Sequence, residues 1–340
     1  MLLETHDLGP ARLNPLAGIA RDPSQSGLAG SGPIRPLAMP LWLGAERPGV
    51  ELGAAALDQG LRERWRARRI PALLDRLEAT IAIPVPDPAD AFDRLHRRTL
   101  EFVPEVAAGC AALAESVAAA VSNGELALTL GGDHALTIGS LAGAARAAAN
   151  AGDRVGVLWF DTHGDLNTPA TSPSGHLHGM AIAAALGLDA PALGALGRFG
   201  PSVRPEDVCL LGGRDLDPAE RDRIADLGIW TLTMEEWTDA GIVSGVGAAL
   251  DHLAARRVAH VHVSFDLDVL DPTALPGTGT AVPGGLTVRE ASQVLRRLRA
   301  WPGPIRSVDW VELNPLLDPS GRSTETAVAL LGTLLGETAR

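Results

Sequence analysis

From residue 37 onward the chain alternates short apolar runs with longer stretches of helical period. The runs 37–43, 80–85, 126–130, 155–160, 208–211, 230–232, 258–265 and 305–311 predict strands. Between them, stretches near 53–68, 89–122, 135–149, 178–187, 218–227, 241–256, 287–300 and 323–337 carry the apolar spacing of helices. Apolar strands alternating with helices predict a mostly parallel sheet covered on both faces, a single-domain three-layer α/β/α fold. Residues 1–36, rich in Pro, Gly and Ser, break the pattern. They predict an irregular N-terminal extension ahead of one α/β domain over 37–340. No internal repeat and no second compositional block divides that domain.

Composition narrows the possibilities. At 340 residues and 46% hydrophobic, the chain can bury a large core without disulfides and is not disordered as a whole. A net charge of −12 argues against a nucleic-acid partner and against an anionic membrane surface. The one basic stretch, LRERWRARRI at 61–70, reads as a solvated helix face or a subunit contact. Cys110 and Cys209 lie far apart outside any CxxC, which fits a reducing cytoplasm. No apolar run reaches spanning length, and the opening MLLETHDLGP lacks the pattern of a signal peptide. The chain has no tyrosine, so no mechanism can use a phenol.

In folds of this kind, ligands sit beyond the carboxyl ends of the strands. GGDH follows 126–130 and puts Asp133 and His134 just before a helix. DTHGDLN follows 155–160, with Asp161, His163 and Asp165 at alternate positions. DLD follows 258–265, with Asp266 and Asp268. Side chains alternate along extended chain, so the members of each set point to one side. Four carboxylates and two imidazoles therefore converge on one crevice. Unbalanced carboxylates a few ångströms apart repel by several kcal/mol and take up protons. Two divalent cations balance them. Carboxylate-rich ligation with one imidazole per ion suits ions such as Mn²⁺, and no thiolate is at hand for structural zinc. Such a pair generates hydroxide near neutral pH.

Each motif alone has a plainer reading. His134 could cap or pack, and an aspartate after a buried strand often caps the next turn. His260 and His262 share the parity of Asp266 but lie earlier in the strand, and predict buried, hydrogen-bonded histidines. His6, His96 and His252 have no motif around them. The glycines of GGDH and PGTGTAVPGG are tight turns rather than phosphate loops, since no Lys-Ser/Thr follows. A two-metal phosphoesterase would add a GNHE-like segment, which is missing. A binding protein that had lost catalysis would lack at least one of the six ligands.

Taken together, GGDHALTIGS, DTHGDLNTP, SGHLHGM, SFDLDVLDP and VELNP resemble the ureohydrolase family, which includes arginase and agmatinase. The resemblance spans roughly residues 37–337. It implies a binuclear manganese hydrolase that releases urea from a small guanidino compound by attack of a metal-bridging hydroxide. It implies that His134, Asp161, Asp165 and Asp266 hold one Mn²⁺. His163, Asp161, Asp266 and Asp268 would hold the other, with Asp161 and Asp266 bridging. Asp165 would take the hydroxide's hydrogen bond and pass the proton on. Glu312 would pair with the planar guanidinium, His178 would shuttle protons, and Thr280 would lie near the guanidinium. Trimers or hexamers are the assemblies the family suggests.

The loop DLNTPATSPSGHLH looks like arginase rather than agmatinase. By that likeness Asn167, Ser172 and Ser174 bind a substrate α-carboxylate. Asp217, in GGRDLDPAE, would contact the α-amino group. Asp217, Pro218 and Glu220 also make a good helix N-terminal set, and the two roles are compatible. One residue departs from the arginase pattern: His176 stands where the family has asparagine, in the carboxylate-binding region. L-Arginine is therefore the expected substrate, with guanidino acids of other lengths, N-hydroxyarginine and agmatine as alternatives.

Overall fold

The motif-bearing strands sit side by side at the centre of one sheet. The computed structural model of the chain describes residues 28, 32–88, 91 and 99–338. Among these, strands β1 (Ile34–Met39), β2 (Ile81–Ala82), β3 (Leu126–Gly131), β4 (Val155–Phe160), β5 (Val208–Leu211), β6 (Trp230–Leu232), β7 (His260–Asp266) and β8 (Ile305–Val311) form a single sheet. Its order is β2-β1-β3-β8-β7-β4-β5-β6, and every pairing is parallel. In register, Phe160 lies opposite Phe265, and Trp310 lies opposite both Phe265 and Leu130. The segments leaving β3, β8, β7 and β4 thus start level with one another. The sheet delivers the GGDH, VELNP, DLD and DTHGD segments to one edge.

The central strands β3, β8, β7, β4 and β5 are buried on both faces, and their side chains divide by parity. Leu158 and Phe160 of β4 join a core built with α1 (Leu52–Ala67), α8 (Ile242–Ala255), α9 (Val288–Ala300) and α10 (Arg322–Leu335). Val155, Val157 and Trp159 face the other way, toward α3 (Val103–Ser122), α4 (Thr137–Asn150) and α5 (Ala181–Ala185). The remaining helices, α2 (Pro71–Leu74), α6 (Pro218–Leu227) and α7 (Met234–Ala240), sit on the connections. By length and composition the segment Leu100–Ser122 could cross a membrane, but 56% of its apolar window is buried inside the fold, as in a core helix.

The structure departs from the expected elements in a few places. The first strand opens at Ile34 rather than residue 37 and takes in Pro36. Ile34 exchanges backbone hydrogen bonds with Arg76 and Glu78 on the β2 side, so Pro36, two residues on, faces the same way. β2 pairs only with Leu37 and Ala38 there, so the missing N–H of Pro36 breaks no ladder bond. Of the helix expected over 89–122, α3 starts at Val103 with proline near its first turn; residues 89–90 and 92–98 lie outside those described, as does most of the expected 1–36 extension. The helix expected at 178–187 is a 3₁₀ turn, His178–Met180, followed by the short α5. α7 was not expected, although Thr233 and Glu236 form the capping box that starts it.

Both cysteines are buried and free. Burial pushes the Cys110 thiol up to about 12 and raises Cys209 as well. Iodoacetamide at pH 8 should leave both unlabelled in the folded protein and label both in urea, read by intact mass.

Candidate metal centre and substrate cavity

The turn after β3 requires its glycines. A Cβ on Gly132 would lie 1.7 Å from the Leu41 carbonyl oxygen. With the chain pressed that close, Asp133 closes the turn: its carboxylate accepts from the N–H of Ala135 at 3.0 Å and of Gly44 at 2.9 Å. His134 is left pointing into the site. After β4, Asp161 Oδ1 accepts the His163 N–H at 2.7 Å, and Thr162 Oγ1 donates to the Asp268 carbonyl at 2.7 Å. After β7, Asp266 Oδ1 accepts the Asp268 N–H at 2.7 Å. Asp161 and Asp266 thus each use one oxygen to shape their own turn.

Carboxylate oxygens of these residues gather around two imidazole nitrogens. His134 Nδ1 lies 3.1 Å from Asp161 Oδ2, 3.2 Å from Asp165 Oδ2 and 3.1 Å from Asp266 Oδ2. His163 Nδ1 lies 3.4 Å from Asp161 Oδ1 and 3.1 Å from Asp268 Oδ2. Two groups with metal-ligand geometry result: His134, Asp161 and Asp266, and Asp161, His163 and Asp268. Asp161 is shared, one oxygen to each. Asp266 joins the first group, and Asp165 flanks it. All six expected ligands are in the cluster.

The electrostatics fit missing positive charge. Burial, then the charges of Asp268 and Asp161, push Asp266 well above the usual carboxylate range. Burial and Asp161 raise Asp165 to about 6. Burial also opposes ionisation of Asp161, but the neighbouring imidazoles of His134 and His163 outweigh it and hold Asp161 low. Both imidazoles are raised despite burial, by these same acids. His134 Nδ1 is fully buried with no hydrogen-bond partner among the described residues, yet three carboxylate oxygens face it. A ring nitrogen set among acid oxygens is a ligand arrangement for a cation, and four carboxylates with two imidazoles suit divalent manganese.

Beside this cluster lies a cavity of about 300 Å³. His163, Asp165 and Asp266 line it together with Asn167, Ser172, Ser174, His176, His178, Asp217 and Thr280. Glu312 lines a small adjoining recess shared with His178 and Thr280. Glu312 Oε1 accepts the His134 N–H at 2.8 Å and sits 3.1 Å from His178 Nδ1. Burial pulls His178 toward neutrality, but the Glu312 hydrogen bond and the nearby acids raise it to about 9. Thr280 Oγ1 donates to Asp268 Oδ2 at 3.1 Å. Asn167 Nδ2 donates to Asp217 Oδ2 at 2.8 Å, while Asp217 also caps α6 in a capping box with Glu220. Asp217 thus caps the helix and lines the cavity at once. Ser172 Oγ accepts the Gly175 N–H at 2.8 Å, and Ser174 Oγ the His176 N–H at 3.2 Å. His176 is half-buried, and burial and then His178 lower its proton affinity, so it enters the cavity as a neutral ring. Asp165 and Glu312 both hold positive φ, +50° and +68°. For glutamate that costs about 1–3 kcal/mol, a strain that concentrates at functional sites.

Sequence reasoning overlooked several supporting residues. Trp159 Nε1 donates to Asp161 Oδ2 at 3.1 Å, and its ring stacks on His134 at 4.1 Å. Buried Glu220 reaches across from α6 to accept the Leu166 N–H at 3.0 Å, tying the cavity loop to that helix. Arg214 donates to the carbonyls of Asp268 at 2.9 Å and Val282 at 2.8 Å, clamping the segment after β7. The signal for Arg214 was present in GGRDLDP, three residues before the aspartate that was singled out.

The same arrangement has known counterparts. The arginase family model matches residues 36–336. An arginase of Bacillus caldovelox is 40% identical over 309 residues, covering 90% of this chain and 98% of that protein. An arginase of Bacillus subtilis (strain 168) is 37% identical over 308 residues, covering 89% and 98%. The native crystal structure of the Bacillus caldovelox arginase at pH 5.6 superposes with a TM-score of 0.79 at 37% identity, covering 91% of this chain and 100% of that one. With the parallel sheet, the paired ligand groups and a match along nearly the whole domain, the chain belongs to the arginase family.

Proposed function

We propose that this protein is a binuclear manganese arginase that hydrolyses L-arginine to ornithine and urea. As a member of its family it is a hydrolase acting on a guanidino group. The observation that carries the finer reading is one cavity lined by both the metal-ligand groups and the Asn167–Ser174–Asp217 set. L-Arginine has a guanidinium for the first and an α-amino acid head for the second.

His134, Asp161, Asp165 and Asp266 would hold one ion, and His163, Asp161, Asp266 and Asp268 the other. Bound there, the ions supply the charge that four aspartates lack and make a hydroxide nucleophile available near neutral pH. Glu312, ionised because its hydrogen bond with His178 outweighs burial, receives the guanidinium together with Thr280. Asp165, lining the cavity beside the ligand groups, accepts a proton from the nucleophile and returns it to the leaving nitrogen. His178 lines the cavity and exchanges protons between it and bulk water. Asp217 faces the α-amino group, and Asn167, Ser172 and Ser174 face the α-carboxylate. His176 adds a neutral ring to that end and sets its width. The family resemblance supports a homo-oligomer, trimer or hexamer, and two free buried cysteines suit the cytoplasm.

The test is urea release from L-arginine, agmatine, 4-guanidinobutyrate and N-hydroxyarginine, with and without added Mn²⁺. L-Arginine should lead, and activity should require Mn²⁺. Asn167→Ala should raise KM for L-arginine by about 10-fold, the loss of one hydrogen bond to a charged group, and change agmatine use little. Equal losses on both substrates would remove Asn167 from the carboxylate end.

A further inference from the structure

On the α4 side of the sheet most strand positions are apolar: Val155, Val157 and Trp159 of β4, Val208 and Leu210 of β5. β7 and β8 break that rule. His260, His262 and Ser264 of β7 and Ser307 and Asp309 of β8 are all at most 3% exposed, and none lines the cavity. Burying such a row is costly unless every group is paired. The contacts form one continuous chain, with Asp309 Oδ1 left outside it and without a hydrogen-bond partner among the described residues. His260 Nε2 is 3.0 Å and His262 Nδ1 2.8 Å from Ser307 Oγ. His262 Nε2 is 3.2 Å from Asp309 Oδ2, which also accepts from Ser140 Oγ and from Thr137 Oγ1 at 2.8 Å. Thr137 Oγ1 is 3.4 Å from Ser264 Oγ, and Ser264 Oγ is 2.7 Å from His134 Nε2.

One proton arrangement satisfies every contact in the last part of this chain. Burial favours a neutral Asp309, but His262 and the hydroxyls of Ser140 and Thr137 hold its carboxyl below the ordinary range. An ionised carboxylate only accepts. Thr137 has a single hydroxyl proton and gives it to Asp309, so toward Ser264 it can only accept. Ser264 then spends its proton on Thr137 and can only accept from His134. His134 Nε2 therefore carries the ring proton. Nδ1, on the other side of the ring, faces Asp161, Asp165 and Asp266 and is the ring atom left for a cation.

We propose that Asp309, acting through Thr137 and Ser264, fixes the tautomer and ring orientation of His134 and so prepares the cation position of the His134 group. Asp309 touches neither substrate nor the ligand oxygens; it is a positioning residue. The inference rests on the metal-centre reading above. It explains why a carboxylate, two hydroxyls and α4 are stacked behind one histidine. Partners that orient a ligating histidine typically change metal affinity by about 10–100-fold when removed.

The experiment uses the full chain. Mn²⁺ binding is measured by the EPR signal of free Mn²⁺ during titration, alongside melting of the metal-free protein. Thr137→Val keeps the shape and removes the relay hydroxyl; Thr137→Ser restores the hydroxyl. Thr137→Val should weaken one of the two Mn²⁺ positions by about 10–100-fold and leave the other near wild type. Thr137→Ser should recover most of the loss. Asp309→Leu should show the same loss, and combining it with Thr137→Val should add nothing, since both cut one relay. Wild-type Mn²⁺ affinity in Thr137→Val would overturn the relay, as would a fall in metal-free melting with no change in Mn²⁺ binding. A wild-type chain that takes up no Mn²⁺ would instead sink the metal-centre reading itself.

Discussion

Alanine at Asp161 should lower urea release by at least roughly 10³-fold, the scale of removing one electrostatic element of a catalytic site. It should also abolish tight Mn²⁺ uptake at both positions. The reason is geometric. Asp161 is the one carboxylate whose two oxygens face different imidazoles, Oδ2 toward His134 and Oδ1 toward His163. Asp268→Ala, by contrast, should empty the His163 group and spare the other. The metal-free fold should not suffer in the same measure. Without cations, the cluster holds four mutually repelling acids, and the shifts of Asp266 and Asp165 report that repulsion. Removing one acid relieves it. The expected pattern is a metal-free melting temperature near wild type, with the stabilisation by Mn²⁺ lost. In the wild type that stabilisation should reach about 2.7 kcal/mol at a hundredfold excess over Kd. Melting scans with and without Mn²⁺, with urea assays on the same samples, check both halves. An Asp161→Ala protein that still melts higher in Mn²⁺ and still makes urea would refute the shared-ligand geometry.

The six ligand positions could be read before any coordinates because they obey a costly rule. Acids directly after strands buried on both faces need a reason, and three such sets in one sheet need a common one. The central strands were readable for a related reason. β4, β5 and β8 occupy the residues that the apolar runs mark, because chain buried on both sides stops being apolar where it leaves the sheet. The edge was less readable. β1 contains Pro36, which marks a break in sequence but costs nothing where β2 is only two residues long. The residues that support the ligands were hidden by their surroundings. Trp159 sits in VGVLWF, where a large ring reads as core, and nothing local says that its N–H meets Asp161. Asp309 lies inside IRSVDWV, a run scored as strand for its apolar members. A lone acid there was itself a signal, since a buried carboxylate must find donors, but those donors come from α4, some 170 residues earlier in the chain. Parity placed His260 and His262 correctly as buried, hydrogen-bonded residues, and their partner Ser307 comes from the adjacent strand.

Glu312→Gln should cut kcat/KM for L-arginine by about 10²–10⁴-fold, the cost of leaving a desolvated cation without its charged partner. The amide keeps the shape of the side chain and can still accept the His134 N–H, so the turn after β8 should hold and Mn²⁺ stoichiometry should remain. A second effect separates charge from shape. In the wild type, Glu312 is the main reason His178 is raised to about 9 against burial. The sign of the linkage follows. A raised histidine stabilises the fold fully below its unfolded value, about 6.5, and that contribution disappears as pH climbs through about 9. The lowered Glu312 stabilises above its unfolded value, about 4.3, and loses that contribution as pH falls through its folded value. The pair is therefore strongest between those limits. With glutamine at 312, burial should win at His178, and the ring should lose its proton at lower pH. The alkaline limb of the rate profile should move in the acid direction, and the proton-coupled part of stability above neutrality should shrink. NMR titration of the His178 ring in both proteins measures the shift directly, and kcat/KM over pH 6–10 measures its consequence. A large rate loss with an unmoved His178 titration would mean that Glu312 acts on the guanidinium alone. An unmoved kcat/KM would place the guanidinium elsewhere in the cavity.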